Sequence, residues 1–283
     1  LETLLIDEIR KRKPLIHHIT NYVTVYDCAQ AVISCGALPV MADAVEECAE
    51  MTGYADALVL NIGTLNSLQI HSMIESGKAA NKKGIPVVLD PVGAGATKAA
   101  NKKGIPVVLD PVGAGATKFR RDMVEKLLKE FRIDVIKGNA AEIALVAGAS
   151  SQMKGVESIG NYDGISESAI LAAKSTGSVI VVTGKTDIVT NGIDVYEISN
   201  GHETMGKIVG TGCMSASVIA SHCAVEKNYA LASAQALCVY GLAGEKASGK
   251  SNTPMIFKAH FMDALYETKA EDLKSFNYIS RRV

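Results

Sequence analysis

Short runs that are apolar on both faces constrain this chain most. They are ALVLNIG at 57–63, IPVVLD at 85–90 and again at 105–110, VIKGN at 135–139 and SVIVVTG at 178–184. A strand wet on one face alternates apolar with polar residues; a strand apolar throughout needs cover on both faces. The intervening stretches supply it. The spacing predicts helices over 65–78, from about 120 to 131, from 140, and near 166–176. Upstream, residues 1–12 read as a helix with Leu1, Leu4, Leu5 and Ile9 on one face, LPVM at 38–41 as a strand, and 46–52 as a short helix. Strand–helix–strand repeated this often predicts an α/β fold: a mostly parallel central sheet, doubly wound, with helices on both faces.

One segment departs from that rhythm. In TDIVTNGIDVYEI at 186–198, Asn191-Gly192 sits between two β-prone runs, the signature of a tight hairpin. Helices then dominate, over 213–225, 229–246 and 254–266, the last opened by Thr253-Pro254 as cap and first-turn proline. No linker is long enough to separate a second domain, so residues 1–283 read as one.

Composition narrows the partners. A net charge of −1 offers no field to recruit nucleic acid or anionic lipid. No run of apolar residues is long enough to span a bilayer, and no export signal is expected. The six cysteines show neither Cys-x-x-Cys nor zinc-ligand spacing, so free thiols in a reducing cytoplasm are the expectation.

In sheets of this kind, ligands sit beyond the carboxyl ends of the strands. Small, polar and glycine-rich residues collect there: Asp43, Asn61 to Thr64, Lys137-Gly138-Asn139 and Thr183-Gly184. Gly210-Thr211-Gly212-Cys213 precede an apolar helix. Two glycines and the free N–H groups of a first helical turn make an anion-binding nest, although a plain tight turn fits the segment equally well. Cys213 stands near the helix start, where a thiol pKa tends to fall; nucleophile, base and small buried residue all remain open. Asn139 and Glu142 fit a capping box, and Glu142 also suits a magnesium ion with its waters. His222 reads as a helix-surface residue, His202 as a loop residue, Met41 as core, and Asn21 as the cap of a following helix. No GxxxxGK[ST] loop is present, and no GxGxxG opens a helix, so P-loop and nicotinamide readings lose their support.

The twenty residues AANKKGIPVVLDPVGAGATK occur twice in tandem, at 79–98 and 99–118. Only about a dozen residues lie between the β-prone runs, too few for a helical crossover between parallel strands. One copy must therefore supply the strand. The expectation is the second, with Asp110, Gly113 and Gly115, because the extra residues would then fall away from the ligand edge; Asp90 is the alternative.

The motifs HHITNYV, PVMA, ALVLNIGTL, PVVLDPVGAGAT, KGNAAEI, VVTG and GTGCM occur in that order across the chain. Together they resemble the hydroxyethylthiazole kinases, thiamine-salvage enzymes of the ribokinase-like superfamily. The resemblance implies a ribokinase-like fold, ATP and Mg2+ as cofactors, and transfer of the γ-phosphoryl to the hydroxyl of 4-methyl-5-(2-hydroxyethyl)thiazole. It also implies a homotrimer with sites between subunits. It places the thiazole against Asn21, Val23, Met41 and Gly210, with Cys213 near the hydroxyl in a Gly210, Thr211, Gly212, Cys213 catalytic loop. Where the wider superfamily carries an aspartate base, this chain has Cys213. Asp110 (or Asp90) and Glu142 fall to the metal; Lys137, Thr183, Gly184, Gly113 and Gly115 fall to the nucleotide. Lys137 stands where some members have arginine. The competing readings are a kinase for another small alcohol, such as a hydroxymethylpyrimidine, and a binding protein disabled by the duplication.

Overall fold

A computed structural model describes residues 5–90, 118–150, 162–274 and 279–282. Among these, nine strands form one sheet in the order β2-β1-β3-β4-β5-β6-β7-β8-β9. They are β1 Leu15–Ile19, β2 Leu38–Val40, β3 Ala57–Asn61, β4 Val87–Asp90, β5 Val135–Asn139, β6 Val179–Thr183, β7 Asp187–Thr190, β8 Val195–Ile198 and β9 Ile279–Arg282. Neighbours from β2 through to β6 pair in parallel; β7, β8 and β9 are added antiparallel.

The alternation of side chains along each strand divides the core in two. Val59, Val88, Val135 and Val181 face one apolar cluster; Leu58, Leu60, Val87, Leu89, Ile136, Ile180 and Val182 face the other. The first cluster is closed by helices α1 Leu5–Arg12, α2 Val25–Cys35, α8 Thr211–Cys223, α9 Tyr229–Ser248 and α10 Pro254–Glu267. The second lies under α3 Cys48–Tyr54, α4 Ser67–Lys83, α5 Lys118–Glu130, α6 Ala140–Ser150 and α7 Tyr162–Thr176. A short α11, Ala270–Lys274, follows α10. The predicted doubly wound α/β sheet forms, and the hairpin turns at Asn191, whose Oδ1 accepts from the N–H groups of Ile193 and Asp194.

Four expectations are corrected. The first repeat, not the second, supplies the strand: α4 ends at Gly84, and Val87–Asp90 then pairs with β3 and β5. Staying with the helix that delivers it, this strand buries Ile85, Val87, Val88 and Leu89. Asp110, Gly113, Gly115 and the second IPVVLD lie outside the described residues, as do Leu1 and Leu4. Second, Asn21 is not the cap of the next helix: Thr24 is the N-cap of α2, and Asn21 Oδ1 accepts from the N–H groups of Val23 and Thr24 ahead of it. LIHHI, given no assignment from the sequence, is a strand, β1, between β2 and β3. Its polar residues are satisfied inside: His17 bonds Thr52 Oγ1 (2.9 Å) and the Ala42 carbonyl (2.8 Å), and His18 bonds Ser217 Oγ (3.0 Å). Third, His222 is buried, because α8 runs between the sheet and other helices with no wet face from Cys213 to Cys223. Fourth, Met41 is half-buried beyond the end of β2 rather than in the core.

Candidate active site

The carboxyl ends of β1, β3, β4 and β5 meet the amino terminus of α8, and a chain of buried polar groups joins them. Lys137 Nζ contacts Asp90 Oδ1 at 3.3 Å. Asp90 Oδ2 accepts from Asn61 Nδ2 at 2.8 Å. Asn61 Nδ2 and Asn21 Nδ2 both donate to Cys213 Sγ, at 3.3 and 3.4 Å. Lys137 Nζ also donates to the Gly212 carbonyl at 3.0 Å, tying β5 to the loop before α8. Each of these side chains is buried. Ion pairs this deep need additional hydrogen bonds on every side, and here they have them.

The backbone of that loop is set by Gly210. It caps α8 with φ at 95°, the left-handed region, and a Cβ there would stand 3.0 Å from Thr24 Cγ2. The first α8 amide bonded within the helix is that of Met214, to the Gly210 carbonyl at 2.8 Å. The preceding three amides are the free donors of a helix start. Asn139 and Glu142 form the expected capping box: Glu142 Oε2 accepts from Asn139 N at 2.8 Å, and Asn139 Oδ1 accepts from Glu142 N at 3.1 Å.

Burial lowers the Lys137 ammonium, but Asp90, Glu142 and Cys213 outweigh it and hold the lysine charged. Burial raises the Asp90 carboxyl, opposed by Lys137 and Asn61. The two tendencies conflict; the direct contact and the Gly212 carbonyl favour the charged pair. Cys213 departs from expectation. Burial first, then the Asp90 charge, raise its thiol, and Thr24, Lys137 and Asn61 offset only some of that. The helix start does not lower it, because the sulfur sits under the chain rather than in water.

Beside these groups opens a cavity of about 710 Å³, lined by Thr183, Gly184, Asp187, Thr211, Gly212 and Tyr240 together with the 199–206 segment, including His202. Its volume suits a nucleotide-sized ligand. Asp187 Oδ1 accepts from Gly184 N at 2.8 Å, and burial raises the Asp187 carboxyl to about 6. Tyr240 donates to the Thr211 carbonyl at 2.8 Å. Among the residues singled out from sequence, Thr183, Gly184, Thr211 and Gly212 therefore line the cavity, while Asn21, Asp90, Lys137 and Cys213 form the buried chain next to it. Val23 and Met41 do not belong to the cavity wall, and Val23 is exposed.

A model of the hydroxyethylthiazole kinase family matches residues 6–102 and 96–271. The chain belongs to the hydroxyethylthiazole kinase family. The two matches overlap at 96–102, inside the tandem repeat. Hydroxyethylthiazole kinases from Methanosarcina mazei and Thermoanaerobacter pseudethanolicus are 48% and 46% identical, each over 94% of this chain and over 95% and 94% of their own lengths. The solved hydroxyethylthiazole kinase of Pyrococcus horikoshii OT3 is 35% identical over 98% of this chain and 96% of its own, with a TM-score of 0.83. A ribokinase-like superfamily protein from Enterococcus faecalis, at 12% identity and a TM-score of 0.63, shares the fold.

Sequence reading did not assign roles to Asn61 or Asp187. The signal for Asn61 was a lone amide ending an otherwise apolar strand. For Asp187 it was a carboxylate three residues beyond a Thr-Gly turn.

Proposed function

We propose that the protein transfers the γ-phosphoryl of ATP to the hydroxyl of 4-methyl-5-(2-hydroxyethyl)thiazole, releasing ADP and the thiazole phosphate. The observation that carries this reading is the Lys137–Asp90–Asn61–Cys213 chain abutting both a nucleotide-sized cavity and the free amides of α8. Phosphoryl transfer asks mainly for positioning and charge stabilisation, which such a site supplies. The cavity takes the nucleotide with its phosphates toward the Gly210–Cys213 loop. The α8 amides and Lys137 meet the charge that spreads over the transferring group. The alcohol oxygen forms a bond to the γ-phosphorus as the bond to ADP breaks, and the alcohol proton leaves.

Among the described residues no cluster of three metal-ligating side chains exists. Asp90 and Glu142 are buried carboxylates whose charges both act on Lys137, and they offer the hard oxygen donors that a magnesium ion takes. They are the residues that would hold Mg2+. Bound there, the ion would supply positive charge to the nucleotide phosphates. A raised thiol is a poor base near neutrality. Cys213 is therefore assigned to placing the hydroxyl, with the proton passing to the phosphoryl oxygens or to water.

The thiazole alcohol is assigned to the outer side of Cys213, against Asn21, Val23, Met41 and Gly210. Exposed Tyr22, Val23, Tyr26 and Val209 lie along this side, and a second copy covering them would complete a pocket, in line with a homotrimer. The six cysteines are free and buried, which suits the reducing cytoplasm. Among the described residues no helix is long and apolar enough to cross a membrane.

The test is ADP release with the thiazole alcohol, ATP and Mg2+, on this chain and on one lacking residues 99–118. Turnover by both supports the kinase. Turnover by the shortened chain alone makes the duplicated form a disabled kinase. No turnover by either folded protein overturns the proposal.

A further inference from the structure

Asn61 touches both halves of the site, yet it has no role in the mechanism above. It ends β3 with only 1% of its surface exposed, after four residues that are wholly apolar. A buried amide costs free energy unless its donors and acceptor are met. Here they are. The Oδ1 atom accepts from Gly63 N at 2.9 Å and from Asn21 Nδ2 at 3.0 Å. The Nδ2 atom donates to Asp90 Oδ2 at 2.8 Å and to Cys213 Sγ at 3.3 Å. The orientation of the amide follows from its neighbours. The Gly63 N–H can only donate, so an oxygen must face it, and the amino group is then left facing a carboxylate and a sulfur.

We infer that Asn61 is a positioning residue for phosphoryl transfer: its amino group fixes the Cys213 sulfur, beside the acceptor hydroxyl, to the Asp90 carboxylate, beside the phosphates. The inference rests on the kinase reading and deepens it. Neither neighbour alone does this work. Asn21 reaches Cys213 and Asn61, while Lys137 reaches Asp90 and the Gly212 carbonyl. Asn61 is the residue whose single amino group bonds both Cys213 and Asp90, and it braces the direct contact of the Cys213 thiol with Asp90. Closing the 62–63 turn would use only Oδ1, which an aspartate provides as well. The link to the reaction uses only Nδ2, which an aspartate lacks.

Asn61→Asp and Asn61→Ala separate the two roles. The first keeps the acceptor for Gly63 and Asn21 and removes both donors once ionised; the second removes everything. Because the Asn61→Asp carboxyl stands 2.8 Å from Asp90 and can share a proton with it, its kcat is read from pH 6 to pH 9. Displacements near 1 Å at reacting groups cost on the order of 10²-fold in rate. Both variants are therefore expected to lose about that in kcat. KM for ATP and for the thiazole alcohol should stay within about 3-fold, because binding contacts made equally in ground and transition states are kept. Should Asn61→Ala not fold by circular dichroism, Asn61→Asp and Asn61→Ser carry the test. A folded variant with kcat within about 2-fold of the parent overturns the inference, as does a rise in KM with kcat unchanged, which marks a binding or purely structural role. The parent assayed alongside distinguishes the two claims. An inactive parent sinks the kinase reading and this inference with it; an active parent with an active, folded Asn61→Ala sinks only the inference.

Discussion

Replacing Lys137 by methionine isolates the buried ion pair that anchors the site. Lys137 and Asp90 have side chains 3% and 0% exposed, so the contact at 3.3 Å is shielded from water. Methionine keeps the unbranched stem and much of the volume, leaving Asp90 as a buried carboxylate without its cation. Removing one partner of such a pair costs about 3–5 kcal/mol. A chain of 283 residues has an unfolding entropy of roughly 0.6 kcal/mol/K at about 2.1 cal/mol/K per residue, so the melting temperature should fall by about 5–8 °C. Adding Asp90→Asn removes the stranded charge and should return the double variant to within about 1–2 kcal/mol of the parent. The pH dependence has a definite sign. Burial raises the folded Asp90 carboxyl above its unfolded value, and Lys137 opposes that rise. Without Lys137 the carboxyl rises further, so the Asp90 contribution to stability is greatest at low pH and is lost as pH climbs through the raised pKa. Denaturant titrations of parent and variant followed by circular dichroism, taken in steps from pH 4 to pH 8, read both effects. A loss below about 1 kcal/mol, or no recovery on adding Asp90→Asn, would refute the buried-pair account.

Further outcomes follow from packing and titration. Gly244 on α9 faces the Met205 side chain so closely that a methyl group there would push the thioether aside, and Met205 lines the cavity. Gly244→Ala should cost about 1–3 kcal/mol and raise KM for ATP more than for the thiazole alcohol, with Met205→Ala restoring both. Burial lowers His18 and His222 to about 4, so the unfolded chain binds protons that the folded one refuses. Stability contributed by their neutral forms is present above about pH 6.5 and is lost as pH falls toward 4. A denaturation series from pH 7.5 to pH 4.5 should show this decline, and His222→Gln should shallow it. Gly210→Ala places a side chain in the left-handed region against Thr24, costing about 1–2 kcal/mol. It should lower kcat in the ADP-release assay beyond what its melting shift explains. The six thiols are buried and free, so a disulfide reagent should react slowly with the native protein and with all six once it is denatured.

Much of the fold was legible because its signals are local. Short apolar runs that end in a polar residue or glycine identify strands covered on both faces, and ALVLN, VVLD, VIKGN and VIVVT are those strands. Asn191-Gly192 marked the hairpin for the same reason, although the loop spans four residues, 191–194, rather than a tight two-residue turn. The capping box at Asn139 and Glu142 spans three positions. Strand β1 was hidden because its two histidines look polar until Thr52, the Ala42 carbonyl and Ser217 are brought to them. Strand β9 was hidden because ISRR has no apolar pattern, and its place comes from pairing with β8.

The sequence by itself determined the strand and helix rhythm, the class of sheet, and the edge where polar residues gather, since each depends on side chains a few positions apart. It could not choose between two identical repeats; the order of elements and the pairing of β4 with β3 and β5 made that choice. Nor could it tell that the Cys213 thiol is raised rather than lowered, that Lys137 is buried rather than solvated, or that Asn61 joins them. Those properties belong to groups 47 and 152 positions apart, Lys137 with Asp90 and Asn61 with Cys213. Desolvation and charge proximity fall off over a few ångströms, so only the folding that brings distant residues into contact can fix them.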